Sequence, residues 1–161
     1  MSLSRWALMC CSIFALAAHA QEPAASVAIP APVMVPAEVI RYRQTVMRAI
    51  ASQIKALGPI AARKVNYPKN ASLHANAIAD LSKVMGDLFP KGSGAKSGET
   101  DAMDAIWKEP KAWTLAVDTF RAEASKLQAT AVAGDFDALR AQLQVTSDAC
   151  AACHKSFRAG R

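Results

Sequence analysis

From Ala37 onward, apolar residues recur at helical spacing. Ile40, Met47, Ile50, Ile54 and Leu57 lie seven, three, four and three positions apart, along one helical face. The stripe predicts a first helix from about Ala37 to Leu57, stopped at Gly58-Pro59. Asn66-Tyr67-Pro68-Lys69-Asn70 reads as a turn-rich connection. A second helix is expected from about Ser72 to Phe89, with Ile78, Leu81, Met85 and Leu88 or Phe89 facing inward. The stretch from Pro90 to Gly98 reads as a loop, and a short helix is expected over Asp101 to Trp107. Pro110 suits the first turn of a third long helix, and Ala133-Gly134 suits its end. Its inner face is Trp113, Val117, Phe120, Ala124 and Leu127. Asp135 can cap a fourth helix that runs to about Arg158. No segment alternates apolar and polar residues as a half-buried strand does.

Four amphipathic helices with short connections predict an all-α, antiparallel four-helix bundle over residues 37–161. A chain of this length buries a real core in one domain. The N-terminal residues are of a different kind. A short basic start containing Arg5 precedes an uncharged apolar stretch of 13 residues, Trp6 to Ala18, and then Ala18-His19-Ala20. This pattern predicts a secretory signal peptide over 1–20, cleaved after Ala20. The apolar stretch is shorter than the ~20 residues that a membrane-spanning helix needs. Cys10 and Cys11 lie inside that stretch, without the small-residue pattern of a lipidated cysteine. Residues 21–36 are rich in Ala, Pro and Val, and Pro23, Pro30, Pro32 and Pro36 predict an extended leader, not a helix.

Cleavage removes Arg5 and leaves 18 basic and 13 acidic residues, a formal charge of +5. The Lys and Arg residues are scattered, and an exported protein rarely meets nucleic acid, so neither nucleic acid nor, after cleavage, a membrane is the expected partner. The surplus suits docking on acidic partner proteins. Export also places the two remaining cysteines, Cys150 and Cys153, where thiols oxidise.

Those cysteines stand in Cys150-Ala151-Ala152-Cys153-His154. Cys-x-x-Cys-His is the attachment motif of c-type haem: each thiol adds to a vinyl group, and the adjacent imidazole reaches the iron. The seam of the fourth helix is Phe136, Leu139, Leu143, Thr146, Cys150, Cys153 and Phe157, at alternating spacings of three and four. Both cysteines therefore fall on the core-facing seam with His154 beside them. A redox-active pair would follow a strand, and structural zinc would need four ligands, where the mature chain offers only a distant His74 as a further His or Cys. A disulfide across so small a loop would stabilise little. One covalent haem c with its iron is the expected cofactor. A sixth iron ligand, if any, would come from Met47, Met85, Met103 or His74.

These residues resemble the class II cytochromes c, the cytochrome c′ proteins and their low-spin relatives. Cys150-Ala-Ala-Cys-His-Lys-Ser-Phe157-Arg158 is similar to the family's C-terminal pattern, and Tyr42-Arg43-Gln44 to its first-helix pattern. Leu88-Phe89-Pro90, Gly92-Ser93 and Ala105-Ile106-Trp107 resemble its middle, so the likeness runs from about Val39 to Arg158. The resemblance implies that Arg43 and Gln44 lie near the haem edge and propionates, that Met47 faces the distal side of the iron, and that Arg158 sits near His154. It also implies that the loop around Thr100 and Asp101 passes the haem edge. Family members often dimerise through their first two helices. Arg43 lies one turn before Met47, near the apolar stripe, where an unpaired cation is costly. A propionate would pair with its fork; the alternative is that the side chain snorkels to solvent.

Met47 separates two functions. Bound to iron, its sulfur would make a six-coordinate His–Met haem with a raised potential, suited to electron transfer with redox partner proteins. Unbound, it would leave a position open to a diatomic gas, nitric oxide or carbon monoxide. Electron transfer in the periplasm is the expected role and gas binding the alternative. No catalytic triad, phosphate loop or spaced carboxylate pair points to an enzyme.

Overall fold

The computed structural model describes residues 34–160. The signal peptide expected at 1–20 and all but the last three residues of the expected leader lie outside the described residues. Five helices follow: α1 (Pro36–Ala61), α2 (Pro68–Lys83), α3 (Ala105–Lys108), α4 (Pro110–Ala133) and α5 (Phe136–Phe157). Single 3-10 turns cover Met85–Leu88 and Ala95–Ser97. The long helices α1, α2, α4 and α5 form the expected bundle. Helix α2 packs on both α1 and α4, α4 packs on α5, and α1 meets α5 over a shorter stretch. The Cα trace therefore closes tightly on three sides and loosely on the fourth.

Several boundaries differ from the expected ones. Helix α1 does not stop at Gly58-Pro59 but runs through Pro59 to Ala61. Proline there removes one backbone donor close to the helix end, and burial of Ile60 (5% exposed) and Ala61 (3%) favours the extra turn. Pro36 and Pro68, read as leader and turn residues, each open a helix, where their missing N–H would have no partner anyway. The second helix ends at Lys83, not Phe89, and continues as the 3-10 turn that buries Met85 and Leu88. The short helix is confined to Ala105–Lys108.

The core joins Val46, Ile50, Leu57, Ile78, Leu88, Val117, Phe120, Leu127 and Leu139. Ala71, Ala75, Ala79 and Ala124 are also buried, and their small side chains let α2 approach its neighbours. Trp113 meets Phe89 and Phe157 edge to face, at centroid distances of 4.7 and 5.3 Å.

Asp135 caps α5 as its sequence position implies: its Oδ1 accepts from the N–H groups of Asp137 (3.1 Å) and Ala138 (3.0 Å). Just before it, Gly134 ends α4 in the left-handed region, at φ 72°. A Cβ at Gly134 would meet no atom within 4 Å, so Gly134→Ala isolates the backbone effect. We expect a loss of about 1 kcal/mol, read from chemical denaturation with an unchanged m-value.

Candidate functional site

Where α1 and α5 separate, a cavity of about 260 Å3 opens against α4. Helix α1 supplies Met47, Ile50, Ala51, Ile54 and Lys55, and the 3-10 turn supplies Met85. Helix α4 contributes Ala116, Val117 and Phe120; α5 contributes Ser147, Cys150, Cys153 and His154. Ala51 and Lys55 are exposed, so the cavity reaches the surface at α1.

The α5 wall carries the chemistry. Cys150 and Cys153 are free, half-buried thiols on consecutive turns, and His154 is half-buried beside them. Burial, with a smaller contribution from Cys153, pushes the Cys150 thiol up to about 11. Burial also raises Cys153. Both are therefore neutral thiols at physiological pH. Burial lowers the His154 pKa, and the charge of Arg158 lowers it further, so the imidazole is held neutral, the form that binds a metal. Two thiols and a neutral imidazole on the wall of a mainly apolar cavity fit a covalently attached porphyrin. Among the described residues no group of three or more His, Cys, Asp or Glu is placed to hold a bare metal ion.

The His154 environment has a measurable sign. In the haem-free chain the unfolded state binds a proton near its ordinary pKa, while the folded state resists it. Stability from this group is present above about pH 6.5 and is lost as pH falls. We expect the Tm of the haem-free chain to drop modestly from about pH 7.5 to about pH 5.5, and His154→Gln to flatten that slope.

The other residues singled out from the sequence gather beside the cavity, not on its lining. Arg43 is 2% exposed and does not snorkel. Its guanidinium donates to Ser93 Oγ (2.8 Å), the Ser93 carbonyl (2.7 Å) and Thr100 Oγ1 (2.8 Å), and lies 4.9 Å from the Phe89 ring centroid. Burial pushes its pKa below the usual arginine value. Gln44 Nε2 donates to the Glu99 carbonyl at 3.0 Å. Thr100 Oγ1 also accepts from the Ala102 N–H at 3.1 Å. On its other side this loop is pinned to the C-terminus. Ala102 and Arg158 form an antiparallel bridge, Met103 N–H donates to the Phe157 carbonyl (2.9 Å), and Ala159 N–H donates to the Asp101 carbonyl (2.8 Å). Arg158 caps α5, its N–H donating to the His154 carbonyl at 3.1 Å.

So Met47, Cys150, Cys153 and His154 share the cavity, whereas Arg43, Gln44, Thr100, Asp101 and Arg158 tie α1, the 99–103 loop and the end of α5 together around it. His74 is not on the cavity lining; its Nδ1 lies 2.6 Å from Gln53 Oε1. Met103 is exposed at the surface. Met85, another of the candidate iron ligands, also lines the cavity, whereas Lys55 and Ser147 are lining residues that sequence reasoning missed. Lys55 could have been found, because it lies one turn after Ala51 and eight residues after Met47 on the first helix.

A four-helix bundle with a Cys-x-x-Cys-His wall facing an internal cavity defines a bundle-type haem c protein. The cytochrome c′ family profile matches residues 38–158. The chain is 35% identical to cytochrome c′ of Rhodospirillum rubrum over 124 residues, 77% of this chain and 84% of that protein. Its fold matches the crystal structure of cytochrome c′ from Rubrivivax gelatinosus with a TM-score of 0.73 at 30% identity, covering 79% of this chain and 99% of that one. It also matches a nitric oxide complex of a cytochrome c prime variant from Alcaligenes xylosoxidans, with a TM-score of 0.74 at 25% identity over 81% of this chain and 100% of that one. This chain belongs to the cytochrome c′ family. It is a haem protein and not an enzyme, carrying one covalent haem c at its C-terminal cysteine pair.

Proposed function

We propose that this protein carries electrons in the periplasm through its haem, whose iron both His154 and Met47 would hold. Cys150 and Cys153 hold the macrocycle by thioether bonds. The observation that carries the reading is that Met47, on α1, lines the same cavity as Cys150, Cys153 and His154, on α5. Haem bound there supplies one-electron chemistry at its iron. The chain's own residues do the rest. The apolar wall of Ile50, Ile54, Met85, Val117 and Phe120 excludes water, and neutral His154 offers nitrogen to the iron. A thioether opposite an imidazole raises the reduction potential. Arg43, Gln44, Thr100 and Asp101 hold the loop beside the haem edge, and burial, with a smaller contribution from the charge of Arg158, lowers the His154 pKa. The signal-like residues 1–20 support export, and the basic surplus supports acidic redox partner proteins. Dimerisation through α1 and α2 is part of the same proposal.

The second reading is a five-coordinate iron that binds nitric oxide or carbon monoxide. It is favoured by the apolar character of most of the lining and by the gas complexes of the Alcaligenes xylosoxidans relatives, one with nitric oxide and one with carbon monoxide. Absorption spectra of the exported holoprotein decide between them. A low-spin spectrum with a His–Met charge-transfer band and no response to carbon monoxide supports electron transfer. A high-spin spectrum that shifts with carbon monoxide supports gas binding.

A further inference from the structure

The mouth of the cavity has a charge pattern that haem attachment does not account for. On α1, Arg48, Ala51, Ser52 and Lys55 follow one another at helical spacing along the flank that borders the opening, and all are exposed. On α5, Ser147 on the lining, then exposed Ala151 and Lys155, continue the opposite flank at intervals of four. Elsewhere some cations pair locally, while Lys64, Lys69, Lys91, Lys96 and Lys111, among the described residues, enter no ion pair. Arg41, Lys83, Lys108 and Lys126 each meet an acid three or four residues away. Among the described residues Arg48, Lys55 and Lys155 enter no ion pair; Arg48 donates only to Thr45 Oγ1, at 2.9 Å. One acid lies on these flanks, Asp148, and it accepts from Gln144 Nε2 at 2.9 Å. Between the cations stand small side chains, Ala51, Ser52 and Ala151, which permit close approach.

From this juxtaposition we infer that the opening between α1 and α5 is a docking surface for an acidic electron-transfer protein, with Arg48, Lys55 and Lys155 as its cationic rim. The inference rests on the electron-transfer reading above. These cations steer an acidic patch to the place where the cavity lined by Cys150, Cys153 and His154 meets solvent. Complementary charge of this kind acts mainly on the association rate and is weakened by salt.

The test uses holoprotein and three probes: a small acidic blue-copper protein, the hexacyanoferrate anion and a tris-phenanthroline cobalt cation. With the copper protein one electron passes between the metals, ferrous haem and cupric ion giving ferric haem and cuprous ion, or the reverse as the potentials dictate. At low salt, Arg48→Glu with Lys155→Glu should slow the copper protein and hexacyanoferrate about tenfold and speed the cobalt cation. The milder pair Arg48→Gln with Lys155→Gln should give a smaller loss in the same direction. Lys64→Glu with Lys69→Glu, the same change in net charge near the α1–α2 connection, should leave the rates within about twofold. Equal losses in the two glutamate pairs would overturn the inference, since net charge alone would explain them. A shifted reduction potential with unchanged salt dependence would also overturn it, assigning the cations to the haem propionates. If the native holoprotein exchanges electrons with none of the three probes and binds carbon monoxide, the electron-transfer reading fails and the docking surface with it.

Discussion

Met47→Ala should turn a holoprotein that ignores carbon monoxide into one that binds it fully at stoichiometric gas. The low-spin spectrum should become high-spin and the reduction potential should fall, because the thioether that favours the reduced iron is gone. Met47 is half-buried and packs against the core, so truncation should also cost about 2 kcal/mol of stability. Met47→Leu separates the two effects: it fills much of the same volume without a donor, and should restore stability but not ligation. If carbon monoxide already binds the native protein and Met47→Ala changes neither spectrum nor potential, Met47 is a packing residue and the gas-binding reading stands. Met85 is the other thioether on the lining, and Met85→Leu should leave the spectrum of the native protein intact.

The second large effect is expected at Arg43. Arg43→Leu removes three charge-assisted hydrogen bonds and takes the guanidinium donor from the buried Ser93 carbonyl, while Thr100 Oγ1 keeps only the Ala102 N–H. A loss of about 3 kcal/mol follows, offset in part by release of the desolvated charge. Lysine should recover less than half of it, because a single ammonium cannot span Ser93 and Thr100 as the planar fork does. Amide exchange in residues 93–100 should rise in the variant, since that loop is what the guanidinium anchors. The haem-free chain discriminates between two roles. A similar loss without haem marks Arg43 as a clasp on the loop. A loss confined to the holoprotein, with a shifted potential, marks it as a partner of a propionate.

Much of this was legible along the chain because the relevant signals are local. The Asp135 cap, the Gly134 stop and the Cys150–His154 motif each depend on residues within one helical turn. The seam that places both cysteines inward is a period of the sequence and needs no partner to be seen. The α1 boundary was misread for the opposite reason. Gly58-Pro59 is a stop by local rules, but burial of Ile60 and Ala61 against the bundle outweighs one missing hydrogen bond. Pro36 and Pro68 are ambiguous locally, since proline both ends helices and begins them. The buried alanines of α2 escaped because an alanine stripe has little hydrophobic contrast, although close packing depends on it.

The amino-acid sequence by itself determined the class of this protein: four amphipathic helices, and two thiols and an imidazole on one face of the last. Those features arise from periodicity and from covalent spacing, which any folded form of the chain must respect. Only the tertiary structure decided what surrounds them. It brought Met47 of α1 onto the same cavity as His154 of α5, set Lys55 at the opening, and buried Arg43 against Ser93 and Thr100. These pairs are fifty or more residues apart, apart from the intrahelical step from Met47 to Lys55. Their meeting is set by which faces of four helices pack together and by the gap left where α1 and α5 diverge, and no local pattern encodes that gap.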